Sequence, residues 1–178
     1  LATISQDLLA AELARELCTL VMLLSLAWIA ARSKLQIFAF FLFSFAIWDI
    51  FYYVALKIFL DWPASLMTWD ILFLIPITWV GPVVAPLVCA LSMIVLALVI
   101  FIGQGRDPSY RMKFYEWILV IAGAVAIVAA FIWDYASFII RNELYDRLLY
   151  LMQEEQFVQF VESHIPSTFN WTTFIAGL

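Results

Sequence analysis

The chain has 178 residues, 66% hydrophobic and 13% charged, with a formal charge of −5 and a mean hydropathy of +1.02. That composition cannot supply the mixed polar surface of a soluble domain, so the chain reads as an integral membrane protein. The acidic balance gives no basic footprint for nucleic acid and excludes that partner class.

A membrane-crossing helix needs about 20 mostly apolar residues, at ~1.5 Å each, to span a hydrocarbon layer ~30 Å thick. Taken in chain order, four stretches qualify: about 8–31, 35–60, 83–102 and 114–140. The first ends at the polar step Arg32-Ser33-Lys34. The third apolar run begins earlier, at Ile71, but Pro76, Gly81-Pro82 and Pro86 interrupt it. Proline removes a backbone donor and kinks a helix, so 71–80 is expected to be a re-entrant or interfacial piece, with Asp70 as its helix N-cap. Beyond Arg141, apolar Leu144, Leu148, Leu151, Phe157, Phe160 and Val161 recur at roughly helical spacing among acids such as Glu143, Glu154 and Glu155. This predicts an amphipathic surface helix suited to a protein partner, since its acidic face disfavours anionic lipid. The apolar piece 169–178 either dips back into the interface or opens a fifth span. The expected fold is therefore all-α: a four-helix transmembrane domain over 1–141 with a re-entrant or interfacial segment, then an amphipathic tail over 142–178.

Lys and Arg near span ends set orientation. Arg32, Lys34, Arg106, Arg111 and Lys113 fall in the first and third loops, whereas the second loop has no base after Lys57. The rule thus predicts a bacterial-type inner membrane protein with both basic loops inside and both termini on the outer, periplasmic side. Trp62, Trp69 and Trp79 are then the candidate outer interfacial anchors.

The informative residues are polar groups within the spans: Glu12, Arg15 and Glu16 in the first, Asp49 in the second and Asp134 in the fourth. A carboxylate at membrane depth normally faces protein or a water-filled cavity. Glu16 lies 15 residues before Ala31 and Asp49 lies 15 after Lys34, which puts both about 22 Å from the inner face. Asp49, Tyr52 and Tyr53 share one helical face, and Ala122, Ala126, Ala130 and Asp134 form a four-residue ridge expected to pack inward. Lys57 and Arg141 are candidate structural partners for Asp49 and Asp134. Three Trp-Asp pairs, Trp48-Asp49, Trp69-Asp70 and Trp133-Asp134, map toward the outer side. The candidate polar site is accordingly Glu16, Asp49, Tyr52, Tyr53 and Asp134.

His164 is the single histidine, so an internal bis-histidine haem or a histidine-rich metal site is not expected. Cys18 and Cys89 form no C-x-x-C motif and read as core thiols, with a disulfide between them as the alternative. The common hydrolase, nucleotide and metalloprotease motifs are missing. The leading expectation is an accessory subunit of a larger membrane complex handling electrons, protons or pigments, its partners being membrane lipids and other membrane subunits. The alternative is an outer-leaflet lipid- or quinone-binding protein or an embedded enzyme using the carboxylates. Aromatic residues, 17% of the chain, offer flat surfaces for a bound lipid, quinone or pigment.

Overall fold

A computed structural model describes residues 6–73, 79–107, 109–141 and 168–178. Four long apolar helices dominate it: α1 (Gln6–Ala30), α2 (Lys34–Leu60), α3 (Val84–Arg106) and α4 (Phe114–Arg141). All four are long and apolar enough to cross a membrane. The expected spans hold to within two residues at every end but one: α3 continues from Ile102 to Arg106. It stops where the Asp107 carboxylate accepts hydrogen bonds from the Ser109 amide (2.8 Å) and hydroxyl (2.7 Å), a local turn that competes with the helix. Those bonds hold the Asp107 carboxyl below its ordinary value.

The turn between α1 and α2 is closed by its own side chains. Ser33 caps α2 by accepting from the Gln36 amide at 3.2 Å, while the Gln36 side chain accepts from the Arg32 amide at 2.8 Å, close to a capping box. The far end of α2 terminates at Asp61, whose left-handed backbone (φ 50°) directs its amide to the Leu56 carbonyl. Lys57, in the last turn, pairs with Asp61 at 2.8 Å. Lys57, offered by the sequence as a partner for Asp49 or Asp134, is thus paired with the residue that caps its own helix.

The reading of Asp70 as a helix N-cap is corrected, because the described ends of the segment 71–80 are strands. They form an antiparallel pair, β1 (Trp69–Phe73) with β2 (Trp79–Pro82), matched Trp69↔Pro82, Asp70↔Gly81, Ile71↔Val80 and, after an irregularity, Phe73↔Trp79. The fold is therefore mostly helical with a two-stranded sheet, and Asp70 is a strand residue. Aromatic and β-branched side chains favour this geometry, and Pro82 is tolerated because it sits at the strand end. The pairing continues into the start of α3 through bonds from the Val83 amide to the Thr68 carbonyl (3.0 Å) and from the Val84 amide to the Leu66 carbonyl (2.9 Å).

Helices α2 and α3 pack along small residues. Ala39, Ala46, Ala90 and Ala97 are fully buried, and Ala39 and Ala97 share a cluster with Ile100. Small side chains let membrane helices approach closely, so that dispersion rather than water release holds them. A second cluster joins Ala85 of α3, Ala130 and Phe131 of α4, and Phe174. Phe174 belongs to the short α5 (Trp171–Gly177), capped by Asn170, whose side chain accepts from the Thr173 amide at 3.1 Å. Helix α5 runs down α4 from Phe131, which Phe169 and Phe174 touch, to Gly123. A Cβ at Gly123 would stand 2.5 Å from the Gly177 carbonyl oxygen, so this contact is backbone on backbone.

Gln104 of α3 donates to Ser33 at 3.3 Å and to the Tyr110 carbonyl at 3.5 Å. Both Lys/Arg-bearing loops thus meet at one end of the molecule, the basic end, with the strand pair and its tryptophans at the other. The amphipathic helix expected after Arg141 and the single histidine His164 lie outside the described residues, as do Pro76 and the side chains of Glu12 and Arg141.

Candidate functional site

Helix α4 touches the rest of the bundle near its two ends. At the basic end Trp117 packs on Phe38 of α2, ring centroids 5.0 Å apart. At the tryptophan end Phe131 stacks on Trp79 of β2 at 6.3 Å and 15°, and Gly81 allows the approach, since a Cβ there would meet the Phe131 ring at 2.9 Å. Between these contacts α2, α3 and α4, with α1, the strands and the end of α5, line a half-open cavity of about 1340 Å³, larger than the usual ~300–1,000 Å³ of a small-molecule site.

The polar groups of its wall gather at the tryptophan end. Arg15 and Glu16 of α1, Asp49, Tyr52 and Tyr53 of α2, and Asp70 of β1 all border it there, whereas the deeper wall is mostly apolar, with Leu42, Met93, Leu96, Leu119, Val120 and Ala124 beside the single hydroxyl of Ser92. Tyr53 is buried, 5% exposed, and its hydroxyl donates to the Asp70 carboxylate at 2.8 Å. This bond pins the strand pair to α2. A second oxygen of Asp70 accepts from the Ile71 amide at 2.9 Å. Burial pushes the Asp70 carboxyl above its ordinary value, outweighing the two bonds that pull it down. Asp49 lies within electrostatic reach of Asp70, Tyr53 and the Cys89 thiol.

The structure therefore brings four of the five predicted site residues to one cavity. Glu16 is 6% exposed and Asp49 half-buried on its wall, and Tyr52 and Tyr53 follow because i, i+3 and i+4 share a face. Asp134 is half-buried on α4 but does not border the cavity. The packed face of α4 is set by Gly123, Ile127, Ala130 and Phe131; Ala122 is exposed, which corrects the alanine ridge by about one residue. Asp134 still continues the packed face, seven residues after Ile127.

The three tryptophans divide. Trp69 remains exposed and Trp62 stacks at 6.4 Å on Tyr53. Trp79 instead turns inward, bordering the cavity and stacking on Phe131. Its indole nitrogen is shielded from solvent and has no hydrogen-bond partner among the described residues. Sequence reasoning missed Asp70 and Trp79 as cavity residues; the signal was the Trp-Asp pair at 69–70 and the Trp-Val-Gly-Pro run at 79–82 on either side of Pro76. Phe45, Phe73, Trp79 and Phe131 form a chain of ring contacts at 5.6–6.3 Å that roofs the cavity.

Cys18 is exposed and Cys89 half-buried, both free thiols. Among the described residues no three His, Cys, Asp or Glu side chains are grouped to hold a metal ion. The chain matches no protein-family model, no curated protein and no solved structure, so the reading of this site rests on its geometry.

Proposed function

We propose that the chain binds a membrane amphiphile, its apolar tail lying between α2, α3 and α4 and its polar head among Asp49, Tyr52, Tyr53, Asp70 and Trp79. The observation that carries this reading is the segregation of the cavity wall: about 1340 Å³ of space, with its carboxylates, phenols and indole at one end and a mostly apolar wall deeper, where Ser92 spends its hydroxyl on the Cys89 carbonyl at 2.8 Å. Clefts of this build, mostly apolar with a few convergent polar groups, are the usual form of a ligand site. A head offering hydrogen-bond donors suits the carboxylates of Asp49 and Asp70. The positive-inside rule places the basic end in the cytoplasm, so the head would sit in the outer leaflet. Quinones and lipids with short polar heads belong to this class.

One observation favours a second reading, the accessory subunit. The middle of α4 stands off from α2 and α3, and the helix of a partner subunit would fit the same opening. Native mass spectrometry of the full chain extracted in mild detergent separates the two. The first reading expects one amphiphile per chain, lost in Ala124→Trp, which fills the apolar wall. Recovery of a stoichiometric partner polypeptide, crosslinking to a cysteine placed at Val128 on that wall, would overturn it in favour of the subunit.

A further inference from the structure

The cavity has a measurable depth. Asp49 stands eleven residues along α2 from Phe38, and both border it; at ~1.5 Å per residue this is ~16 Å. On α4 the bordering residues run from Phe131 to Leu119, twelve residues or ~18 Å. One leaflet of a bilayer contributes about 15 Å of hydrocarbon, half of the ~30 Å core. The slot is therefore one leaflet deep.

Its inner end is closed by aromatic rings. Phe38 borders the cavity and packs on Trp117, bridging α2 to the first turn of α4. Behind Phe38 the space is filled by the cluster of Ala39, Ala97 and Ile100 with Phe101 and Met112. Phe101 in turn packs on Phe40 at 4.7 Å. A tail reaching this point meets a packed interior, and such interiors yield little to added volume.

Resting on the amphiphile-binding reading above, we infer that the Phe38–Trp117 pair is the floor of a tail slot and sets the tail length accepted. The site takes tails of about one leaflet and rejects long polyprenyl chains. The physical reason is that a longer tail must either displace Phe38 from Trp117 or bend back out of the slot. Overpacking of this kind lowers affinity by roughly tenfold or more.

The test uses the full chain in mild detergent, titrated with monoacylglycerols of graded tail length and with a long polyprenyl alcohol, occupancy being read by native mass spectrometry. Occupancy is expected to hold up to a limiting tail length and then fall about tenfold or more, with the polyprenyl alcohol excluded. Phe38→Ala should move the limit to longer tails and Val120→Phe, which adds a ring to the wall above the floor, to shorter ones. Opposite shifts cannot come from misfolding, which would lower occupancy at every length. Binding with no length limit, or one limit unmoved in both variants, overturns the floor and leaves the amphiphile reading standing. Failure of every probe to bind the wild-type chain overturns both.

Discussion

The α2–α3 seam and the α4 wall are built from similar material and do opposite things. Both carry small residues at helical spacing: Ala39, Ala46, Ala90 and Ala97 in the seam, Gly123 and Ala130 on α4. In the seam the alanines face the neighbouring span and the two helices close. On α4 the glycine is taken up by Gly177 of the short helix α5, so the span itself is not drawn against α3 and a cavity remains. A small-residue ridge therefore specifies that something will approach closely, and the competing partners decide what does.

The sharpest way to break this contrast is to enlarge one alanine on each side. Ala97→Leu places extra methylenes where exposure is zero and should destabilise by about 1–3 kcal/mol. Ala124→Leu, on the cavity wall, should stay within about ±0.5 kcal/mol. Thermal unfolding of both in one detergent checks the pair, and equal losses would mean that the α4 wall is as tightly packed as the seam. Gly123→Ala comes next. Its new methyl meets a backbone oxygen that cannot swing away, so a loss of about 1–3 kcal/mol is expected, with easier proteolysis in α5.

Tyr53→Phe leaves the half-buried Asp70 carboxylate without its phenol donor and should cost about 1–3 kcal/mol. Asp70→Asn should be milder, because an amide can still exchange a hydrogen bond with the Tyr53 hydroxyl. Their pH dependence sharpens the point. Because burial raises Asp70 above its ordinary value, its protonated form is favoured in the fold. Its contribution is fully present below the ordinary carboxylate value and is lost as pH rises through the raised one. The wild type should thus gain stability on acidification across that window, and Asp70→Asn should lose this part of the slope. The smallest effect belongs to Asp61→Asn at the rim, which removes the charge and keeps a side chain that tolerates the left-handed backbone. Its carboxyl is fully exposed and held low by Lys57, and no change in unfolding temperature is expected from so solvated a pair.

How much of this was legible beforehand depends on the range of the interaction. The spans were readable because hydropathy and helix rise are local. The shared level of Glu16 and Asp49 followed from a three-residue loop, which forces α1 and α2 side by side. The strand pair was not legible, only a re-entrant or interfacial piece with Asp70 as an N-cap, because prolines signal a break without naming its replacement, and the antiparallel register that pairs Asp70 with Gly81 joins residues eleven positions apart. The ridge on α4 was placed one residue off because alanine spacing ignored Gly123, whose value lies in a contact with Gly177. The turn side chains Ser33 and Gln36 carried a readable capping pattern that hydropathy alone passes over.

By itself the sequence determined four membrane-length helices, a basic end, and carboxylates and phenols that had to find shelter. Those outcomes depend on composition and on periodicities of a few residues. Tertiary structure alone decided that Asp70 would meet Tyr53, that Trp79 would turn inward, and that α5 would occupy the close-packing face of α4. Each joins residues distant in the chain, where the choice between partners rests on volume and backbone approach. The cavity is the space those choices leave between helices.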